Sequence, residues 1–454
     1  MKRSLILSVA AGLVLAACSE QNSTAPNEAP PLAAASSQKT PSYVISYSAA
    51  KAGDLSQAIE RAGGKARKVF PAAGLATALS SDAAFADRLR SAPGVKAVSR
   101  DTVVLWVPRE RVISASIGDD EPFFADQWSD RAVHAPEAWD AGATGRGARV
   151  AVLDGGLNNT HIDLKGNVDV AHSASFFPGL AFNQDEDPDH FSHATHVAGI
   201  IAAQNDQKGT IGIAPNATII GVKVLHQGSG SFGQVIEGIV YAATPVKENG
   251  GGADIINMSL GLTVSSGSDS KLQGLIDALN QATTYAHDRG VLVVASAGNG
   301  DKQGRGIDHD LGNWTTLPAQ SAHVLGVSAL GPVGFATGAT NFDRLASYSN
   351  FGLSIIDFSG PGGDFVLFPA DGWFLDMVLS PASLPENNGY FFAAGTSMSA
   401  PAVAAVAALI VGEKGRMSPD ALEALLASGS DDLGATGTDP VYGKGRVNAF
   451  KAVQ

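Results

Sequence analysis

The sequence predicts a doubly wound α/β domain with a mostly parallel sheet, preceded by a small α+β module. After residue 123, short apolar runs such as 149–153 and 291–295 alternate with helical stretches such as 232–243. The runs are continuous rather than alternating, which suits a parallel sheet that is covered on both faces. Ligands of such sheets bind beyond the carboxyl ends of the strands. Asp154 lies at one such strand end, and Asn299 follows another after 296–298.

Residues 42–106 have the pattern of the separate module. Apolar and alternating runs predict strands at 43–47, 66–70, 75–79 and 95–98, with helices at 54–62 and 82–91. This βαββαβ order is the ferredoxin-like arrangement. Residues 107–122 are basic and then acidic, and they predict an exposed, cleavable linker to the domain 123–454.

The first 18 residues have the composition of an export signal. Lys2 and Arg3 precede the apolar run 5–17, which is too short to predict a membrane span. The tetrad 15–18 (LAAC) resembles the bacterial lipoprotein signal, which implies cleavage before Cys18 and lipidation of its thiol. An ordinary secretory signal with an incidental cysteine is the alternative. Residues 19–41, rich in Ser, Ala, Pro, Asn and Gln, predict a disordered tether between a membrane anchor and the folded chain.

Composition argues against several classes of function. Of the 454 residues 17% are charged, the net charge is −13, and no basic stripe occurs, so nucleic-acid binding is not expected. Cys18 is the only cysteine, which excludes an intrachain disulfide and thiol catalysis in the mature chain. We expect no organic cofactor, and contact with a membrane only through the lipid anchor.

The stretch 395–401 (GTSMSAP) predicts a serine at the start of a buried helix. Pro401 suits a first helical turn, and 402–410 continue without a charged face. Such a helix start offers unpaired N–H groups and the positive end of the helix dipole to a developing negative charge. Taken alone, Ser397 or Ser399 would more often be a helix cap. A serine nucleophile also needs a base and an orienting carboxylate.

Two upstream motifs supply those partners. Asp154 follows the strand 149–153, and His193 begins an apolar helical stretch, 193–199 (HATHVAG). Together with Ser397, in the order Asp, His, Ser, they resemble the motifs of the subtilisin-like serine proteases, the subtilases. The resemblance covers roughly residues 123–452, and the module 42–106 looks like the inhibitory propeptide of that family.

The resemblance implies a protease that is made as a self-processed zymogen and hydrolyses peptide bonds through an acyl-enzyme. Ser397 would be the nucleophile, His193 the general base and Asp154 the group that orients the imidazole. His196 would be structural. The segment 296–300 (SAGNG) resembles the oxyanion loop of the family, which gives Asn299 the stabilisation of the tetrahedral intermediate. Without the other motifs this segment would be read as an ordinary turn.

The resemblance also assigns the edges that bind protein or peptide substrates as an added strand. The assigned residues are Ser259, Leu260 and Gly261, then Gly230 and Phe232, and finally Ser296 and Gly298. Phe232 either lines an apolar subsite or begins its helix and packs in the core. The depth of the specificity pocket, assembled around Ser259, Ser296 and 313–318, is not given by the sequence.

A structural calcium site is a further implication of the resemblance. Asp163, nine residues after Asp154, and Asp206, in the loop 204–210 (QNDQKGT), match the calcium-binding positions of the family. Backbone carbonyls of the loop and Gln127 would supply further oxygens. We interpret the acidic run 185–189 as a solvated loop rather than a second site.

Two positions depart from the family pattern. The family usually has Gly where Ala194 stands and Thr or Ser where Gly155 stands, so the rate of the reaction is in question. Two alternatives therefore stay open. One is a narrow-specificity maturase or transamidase of the same fold, and the other is a catalytically idle binding scaffold on the envelope. An intact triad argues against the scaffold.

Overall fold

The computed structural model describes residues 40–50, 53–105, 123–184, 191–265, 270–382 and 389–454. The predicted export signal, most of the tether, the linker and the acidic run lie outside these residues. The N-terminal module begins the described chain. Its elements are β1 (Ser42–Tyr47), α1 (Leu55–Arg61), β2 (Lys65–Phe70), β3 (Leu75–Leu79), α2 (Phe85–Arg90) and β4 (Val95–Arg100).

The strands of the module form one antiparallel sheet in the order β2-β3-β1-β4. The two helices pack on this sheet through fully buried side chains, including Ile59, Phe85 and Leu89. The predicted βαββαβ order is therefore the observed one.

The first half of the remaining chain ends with α6. Its strands and helices are β5 (Val103–Leu105), α3 (Trp128–Ala132), α4 (Ala135–Asp140), β6 (Arg149–Asp154), β7 (Ala174–Ser175), α5 (His193–Ala202), β8 (Thr218–Lys223), β9 (Ser229–Ser231) and α6 (Phe232–Ala243), with the 3₁₀ turn Phe123–Asp126.

The second half begins with the next strand of the large sheet. Its elements are β10 (Ile255–Met258), β11 (Leu262–Ser265), α7 (Ser270–Asp288), β12 (Leu292–Ser296), β13 (Trp314–Leu317), β14 (Val324–Leu330), β15 (Phe358–Pro361), β16 (Val378–Ala382), β17 (Gly389–Ala393), α8 (Thr396–Lys414), α9 (Pro419–Gly429) and α10 (Ala449–Val453).

A seven-stranded sheet organises this domain in the order β15-β14-β12-β10-β6-β8-β7, and neighbouring strands are parallel throughout. Successive side chains of β6 point to opposite faces. Val150 and Val152 join the core that contains α5 and α8, whereas Ala151 and Leu153 join the core that contains α6 and α7. The predicted doubly wound parallel domain is confirmed.

Helix α8 runs through the first of these cores, with Thr396 to Val411 buried. It is the one helix in the described ranges that is long and apolar enough to span a membrane, and 89% of its apolar window is buried inside the protein. The prediction that Pro401 lies in the first turn is wrong, because the helix begins at Thr396 and Pro401 lies inside it. Proline has no N–H to donate to the carbonyl of Ser397. The Ser259 hydroxyl donates to that carbonyl instead, at 2.7 Å.

The N-terminal module docks on α6 and α7 through polar contacts. The buried Glu237 side chain of α6 accepts a 2.5 Å hydrogen bond from the Thr77 hydroxyl and lies 3.7 Å from the Arg67 guanidinium. On α7, the Gln281 amide donates to the carbonyls of Ala73 and Gly74. These contacts join the module to the helix layer of the large domain.

The end of the module reaches the start of α6. The Asp101 carboxylate accepts the N–H of Gly233 at 3.0 Å, in the first turn of that helix. The next residues, β5, then pair antiparallel with β9, with Val104 opposite Gly230. The chain that leaves the module is thus an added strand on the edge that contains Gly230.

Candidate active site

Asp154 and His193 meet at the carboxyl edge of the large sheet. Asp154 is the last residue of β6 and is 2% exposed, while His193 is the first residue of α5. The imidazole Nδ1 lies 2.7 Å from Asp154 Oδ2. Asp154 Oδ1 accepts the backbone N–H of Gly155 at 2.6 Å. The carboxylate is fixed by these contacts and faces a titratable ring.

Ser397 lies at the N-terminal end of α8, in its second helical position. Gly395 caps the helix without a side-chain hydrogen bond, and the Ser399 hydroxyl bonds back to the Thr396 carbonyl. Neither Ser397 nor Ser399 is therefore a helix cap, which is the role that the motif taken alone would favour. The Ser397 hydroxyl lies 3.4 Å from the carbonyl oxygen of Ser259, a weak contact.

Asn299 has a side chain of fixed orientation. Its Oδ1 accepts both the backbone N–H of Thr396 at 2.8 Å and the Thr396 hydroxyl at 2.7 Å. With the carbonyl side of the amide held in this way, the NH₂ group points away from Thr396. Two hydrogen-bond donors are therefore presented beside the residue that precedes Ser397.

A buried asparagine far along the chain supports the loop that carries Asn299. Asn350 donates through Nδ2 to the Ala297 carbonyl at 2.8 Å, and its Oδ1 accepts the N–H of Gly300 at 3.1 Å. Gly298 has φ +99°, and a β carbon there would lie 2.6 Å from Asn350 Nδ2. The loop therefore requires glycine at this position and asparagine at 350.

Sequence reasoning missed both Thr396 and Asn350. Thr396 could have been found, because it lies inside the serine motif and its hydroxyl is polar in an otherwise apolar helix start. Asn350 has no local signal, since its partners precede it by about fifty residues and no motif surrounds it.

The segments that the sequence assigns to substrate binding follow the strands next to the site or lie in β9 and α6. Ser259 and Leu260 are buried directly after β10, and Ser296 ends β12, one strand further in the sheet. Gly230 lies in β9, which pairs with β5. Phe232 begins α6 and is fully buried in the core that also contains Val104. In this chain Phe232 is packed, as the second interpretation of it predicted.

His196 and Ala194 are interior groups of α5. The imidazole Nε2 of His196 lies 3.0 Å from the Phe391 carbonyl, and burial lowers the pKa of this ring to about 3. A neutral histidine of this kind fits the structural role that was expected. Ala194 is 1% exposed and packs in the core with α8.

The residues expected to bind calcium converge only in part. Asp163 is fully buried; Tyr390 donates to its Oδ1 at 2.8 Å, and the N–H and hydroxyl of Thr210 donate to its Oδ2. Burial raises the pKa of Asp163 to about 6, and the charge of Asp206 adds to this. Asp206 has a buried Oδ1 that lacks a hydrogen-bond partner in the described chain.

An unpartnered carboxylate oxygen near a second carboxylate fits a cation in this loop. Lys208 lies 3.0 Å from the other oxygen of Asp206 and leaves Oδ1 facing inward. Both polar atoms of the Gln127 amide bind the backbone of Ile211, so Gln127 holds the loop rather than offering a bare oxygen. No three His, Cys, Asp or Glu side chains of the described ranges cluster as metal ligands. A calcium ion here would depend on backbone carbonyls of the loop.

The subtilase family profile matches residues 145–445. Thermitase from Thermoactinomyces vulgaris is 34% identical over 340 residues, which are 74% of this chain and 98% of Thermitase. The thermophilic serine proteinase of Bacillus sp. (strain AK1) is 32% identical over 365 residues, 79% of this chain and 75% of that protein.

Solved structures of similar fold extend the comparison. A protease from Pseudoalteromonas arctica PAMC 21717 has a TM-score of 0.56 at 32% identity, over 74% of this chain and 98% of its own. A lanthipeptide protease has a TM-score of 0.59 at 28% identity, over 72% and 94%. The epidermin leader peptide processing serine protease of Staphylococcus aureus has a TM-score of 0.72 over 91% and 98%, at 22% identity. The last likeness concerns the fold alone.

Proposed function

Because the chain belongs to the subtilase family of serine proteases, we propose that it is an exported endopeptidase that works through an Asp154–His193–Ser397 triad. The observation that carries this proposal is the 2.7 Å contact between His193 Nδ1 and Asp154 Oδ2 at the carboxyl edge of the sheet. Ser397 is the second residue of α8, and the residue before it, Thr396, is hydrogen-bonded to Asn299, which follows the carboxyl end of β12. The three groups come from separate elements that meet where parallel sheets bind ligands.

The roles follow from the chemistry of the groups. His193 donates a hydrogen bond from its Nδ1–H group to the Asp154 carboxylate, which keeps Nε2 as the basic nitrogen. That nitrogen takes the proton of Ser397 as the hydroxyl oxygen attacks the carbonyl carbon of a peptide. The imidazolium, stabilised by Asp154, then protonates the leaving amine, and an acyl-enzyme remains. A water molecule, deprotonated by His193, then attacks the acyl-enzyme, Ser397 regains its proton, and the acid product is released.

Asn299 stabilises the negative oxygen of the tetrahedral intermediate. Its Oδ1 is held by Thr396, which leaves the NH₂ group as the donor. The backbone N–H of Ser397, in the first turn of α8, has no partner within the helix and is the second donor. Fixed donors of this kind require little reorganisation when the charge develops.

We propose further that the N-terminal module is an inhibitory propeptide. The strand that follows its sheet, β5, pairs with β9, the edge that would bind an extended substrate. Peptides bind such edges by completing the backbone hydrogen-bond ladder. The module therefore blocks substrate until the enzyme cuts the linker 107–122. Ser397→Ala should leave a pure precursor at full length, and maturation of that variant without added protease would show that another enzyme makes the cut.

The anchor is a separate part of the proposal. The signal 1–18 directs export to the bacterial envelope, and Cys18 carries the lipid after cleavage. Cys18→Ser should abolish incorporation of labelled fatty acid and move the protein from the membrane to a soluble fraction. Unlabelled wild type with unchanged fractionation would remove the anchor and leave the enzyme assignment intact.

Calcium has a structural role in this proposal. Asp163, Asp206 and carbonyls of the loop 204–210 would hold the ion, and its charge would offset the repulsion between the two neighbouring carboxylates. Thermal unfolding of the Ser397→Ala chain in calcium and in chelator tests this. A saturating ion at about 100 times its Kd adds about 2.7 kcal/mol to stability. Equal melting temperatures in the two buffers would exclude the site.

Hydrolysis of a peptide p-nitroanilide by the purified wild type tests the main proposal. Activity that disappears in Ser397→Ala supports it, and absence of hydrolysis with every substrate of a library favours the idle scaffold. The similarity to a lanthipeptide protease favours a narrow-specificity maturase as the second candidate. A library from which only one or two sequences are cut would identify that class.

A further inference from the structure

Asn350 forms hydrogen bonds with three consecutive peptide groups around Asn299. Its backbone N–H donates to the Gly298 carbonyl at 3.0 Å. Its side-chain Nδ2 donates to the Ala297 carbonyl at 2.8 Å, and its Oδ1 accepts the Gly300 N–H at 3.1 Å. The last two of these peptide groups in chain order are the ones that Asn299 joins. One residue therefore holds the backbone on both sides of the proposed oxyanion donor.

The loop that carries Asn299 does not fix its own shape, because a glycine lies on each side of this residue. Gly298 has φ +99° and Gly300 has φ +84°, both in the left-handed region that favours glycine. Glycine leaves the backbone more conformational freedom than any other residue, so contacts from elsewhere must set the direction of the Asn299 side chain. The Asn350 side chain is close enough to do this, since a β carbon on Gly298 would lie 2.6 Å from its Nδ2.

The Asn350 side chain also closes the turn that follows this loop. Its Oδ1 accepts the Ile307 N–H at 3.0 Å in addition to that of Gly300, so one oxygen joins the two ends of the segment 300–307. The exposed residues 302–305 between these ends are thus held at their base. Asn350 is fully buried, and its amide supplies the donor and the acceptor that these backbone groups need.

The Asn299 side chain has a second anchor, on α8. Its Oδ1 accepts the N–H and the hydroxyl of Thr396, and the same hydroxyl accepts the Gly298 N–H at 3.0 Å. Thr396 therefore orients the amide, and Asn350 holds the backbone from which the amide projects. The direction of the NH₂ group depends on both anchors, because a hydrogen bond weakens steeply when its donor moves out of line.

We propose that Asn350 is a positioning residue for the reaction, which keeps the NH₂ group of Asn299 at the place where the negative oxygen of the tetrahedral intermediate forms. This inference rests on the proposed function and adds a residue to it. Because its side chain is fully buried and bonded to the loop, Asn350 acts through Asn299 and not by contact with the substrate. A displacement of about 1 Å in such a site costs on the order of 10²-fold in rate.

Steady-state kinetics of Asn350→Ala on a peptide p-nitroanilide test this inference. The variant keeps the backbone bond to Gly298 and loses the three side-chain hydrogen bonds, so the loop gains freedom. We expect kcat to fall by about 10- to 100-fold with KM within about threefold of wild type, because the donor acts on the tetrahedral intermediate. Asn350→Ser removes less of the side chain. It should lower kcat in the same direction, and it decides the question if the alanine variant does not fold.

The double variant Asn299→Leu/Asn350→Ala shows whether Asn350 acts through Asn299. Once the donor has been removed, its position no longer affects the rate. The kcat of the double variant should therefore lie within about threefold of that of Asn299→Leu alone. A residue with only a general structural role would lower kcat by the same factor in both backgrounds.

Asn167→Ala is a matched control for the loss of an asparagine that joins two segments. The Asn167 amide donates to the carbonyls of Ala202 and Pro215, at 2.9 and 2.7 Å. Ala202 is the last residue of α5, at the opposite end of that helix from His193. The substitution should lower the melting temperature and leave kcat unchanged. A fluorophosphonate titration of active serine in each preparation corrects kcat for misfolded protein.

The outcomes separate this inference from the proposed function. An unchanged kcat in an active Asn350→Ala or Asn350→Ser enzyme overturns the inference and leaves the triad intact. Equal losses of kcat with and without Asn299 do the same. An Asn299→Leu enzyme as fast as wild type overturns the donor assignment and the inference together. A chain that neither reacts with fluorophosphonate nor hydrolyses any substrate overturns the proposed function as a whole.

Discussion

Asp154 and Asp163 lie nine residues apart, and both are buried, yet they have different surroundings. Asp154 contacts the imidazole of His193 and the N–H of Gly155. Asp163 contacts two hydroxyls and an N–H, from Tyr390 and Thr210. The partners of Asp163 are hydroxyls and a backbone N–H, whereas the partner of Asp154 is an imidazole, the side chain that acts as a general base in catalytic triads. Burial is therefore common to both carboxylates, and the imidazole partner is what distinguishes the one that we propose to be catalytic.

Of the substitutions that test this comparison, Asp154→Asn should have the largest effect on kcat. The amide cannot hold His193 in the tautomer that keeps Nε2 basic, so kcat should fall by about 10⁴, a magnitude borrowed from known triads rather than deduced from this chain. The melting temperature should change little. Steady-state kinetics with circular dichroism melts on the same samples checks both parts, and a loss of kcat below tenfold would refute the assignment.

Asn299→Leu should have the next largest effect. The donor acts on the tetrahedral intermediate and little on the bound substrate, so kcat should fall far more than KM rises. The figure of about 10² to 10³ in kcat comes from subtilisin itself and is taken over for this relative. If kcat stays within about threefold of wild type, Asn299 is only a turn residue.

Asp163→Asn should show the opposite pattern to Asp154→Asn. The new NH₂ group would face the Thr210 or Tyr390 donors, which should cost about 1 to 3 kcal/mol of unfolding free energy. The kcat of the enzyme that remains folded should stay near that of wild type. Denaturant unfolding measures the stability, and kinetics corrected by active-site titration measure kcat. A loss of kcat like that of Asp154→Asn would contradict the distinction between the roles of Asp154 and Asp163.

The sequence-based account succeeded where the signal is local. The runs of Val and Ile predict the central strands, and the motifs around Asp154, His193 and Ser397 predict which element ends carry polar groups. It failed for Pro401, because the helix start is set by the Gly395 turn and by a hydroxyl from Ser259, over 130 residues away. Asn350 likewise has no local signal in the sequence. Each depends on contacts between segments that only the packed sheet brings together.

The smallest expected effect is that of a substitution at Glu237. This third buried carboxylate lies where the N-terminal module contacts α6. Burial raises its pKa, and the groups that face it are Arg67, Lys68, Thr77 and Asp101. A raised pKa means that the fold favours the protonated acid. Its contribution to stability is therefore complete below pH 4.5, the ordinary pKa, and declines as the pH rises through the raised value.

Glu237→Gln in the Ser397→Ala precursor should remove this pH dependence. Each unit of raised pKa corresponds to about 1.4 kcal/mol. The difference in melting temperature between the two chains should grow in favour of Gln from pH 4.5 upward. Parallel melting curves across that range would mean that Arg67 compensates the buried charge completely.

The central claim is that His193 and Asp154 activate Ser397, and labelling with a fluorophosphonate tests it most directly. The mature wild type should form one adduct per chain, which peptide mass mapping places on Ser397. Asp154→Asn should form the same adduct about 10⁴ times more slowly, by the borrowed triad figure. An unlabelled wild type, or an adduct on Ser399 instead, would contradict the account.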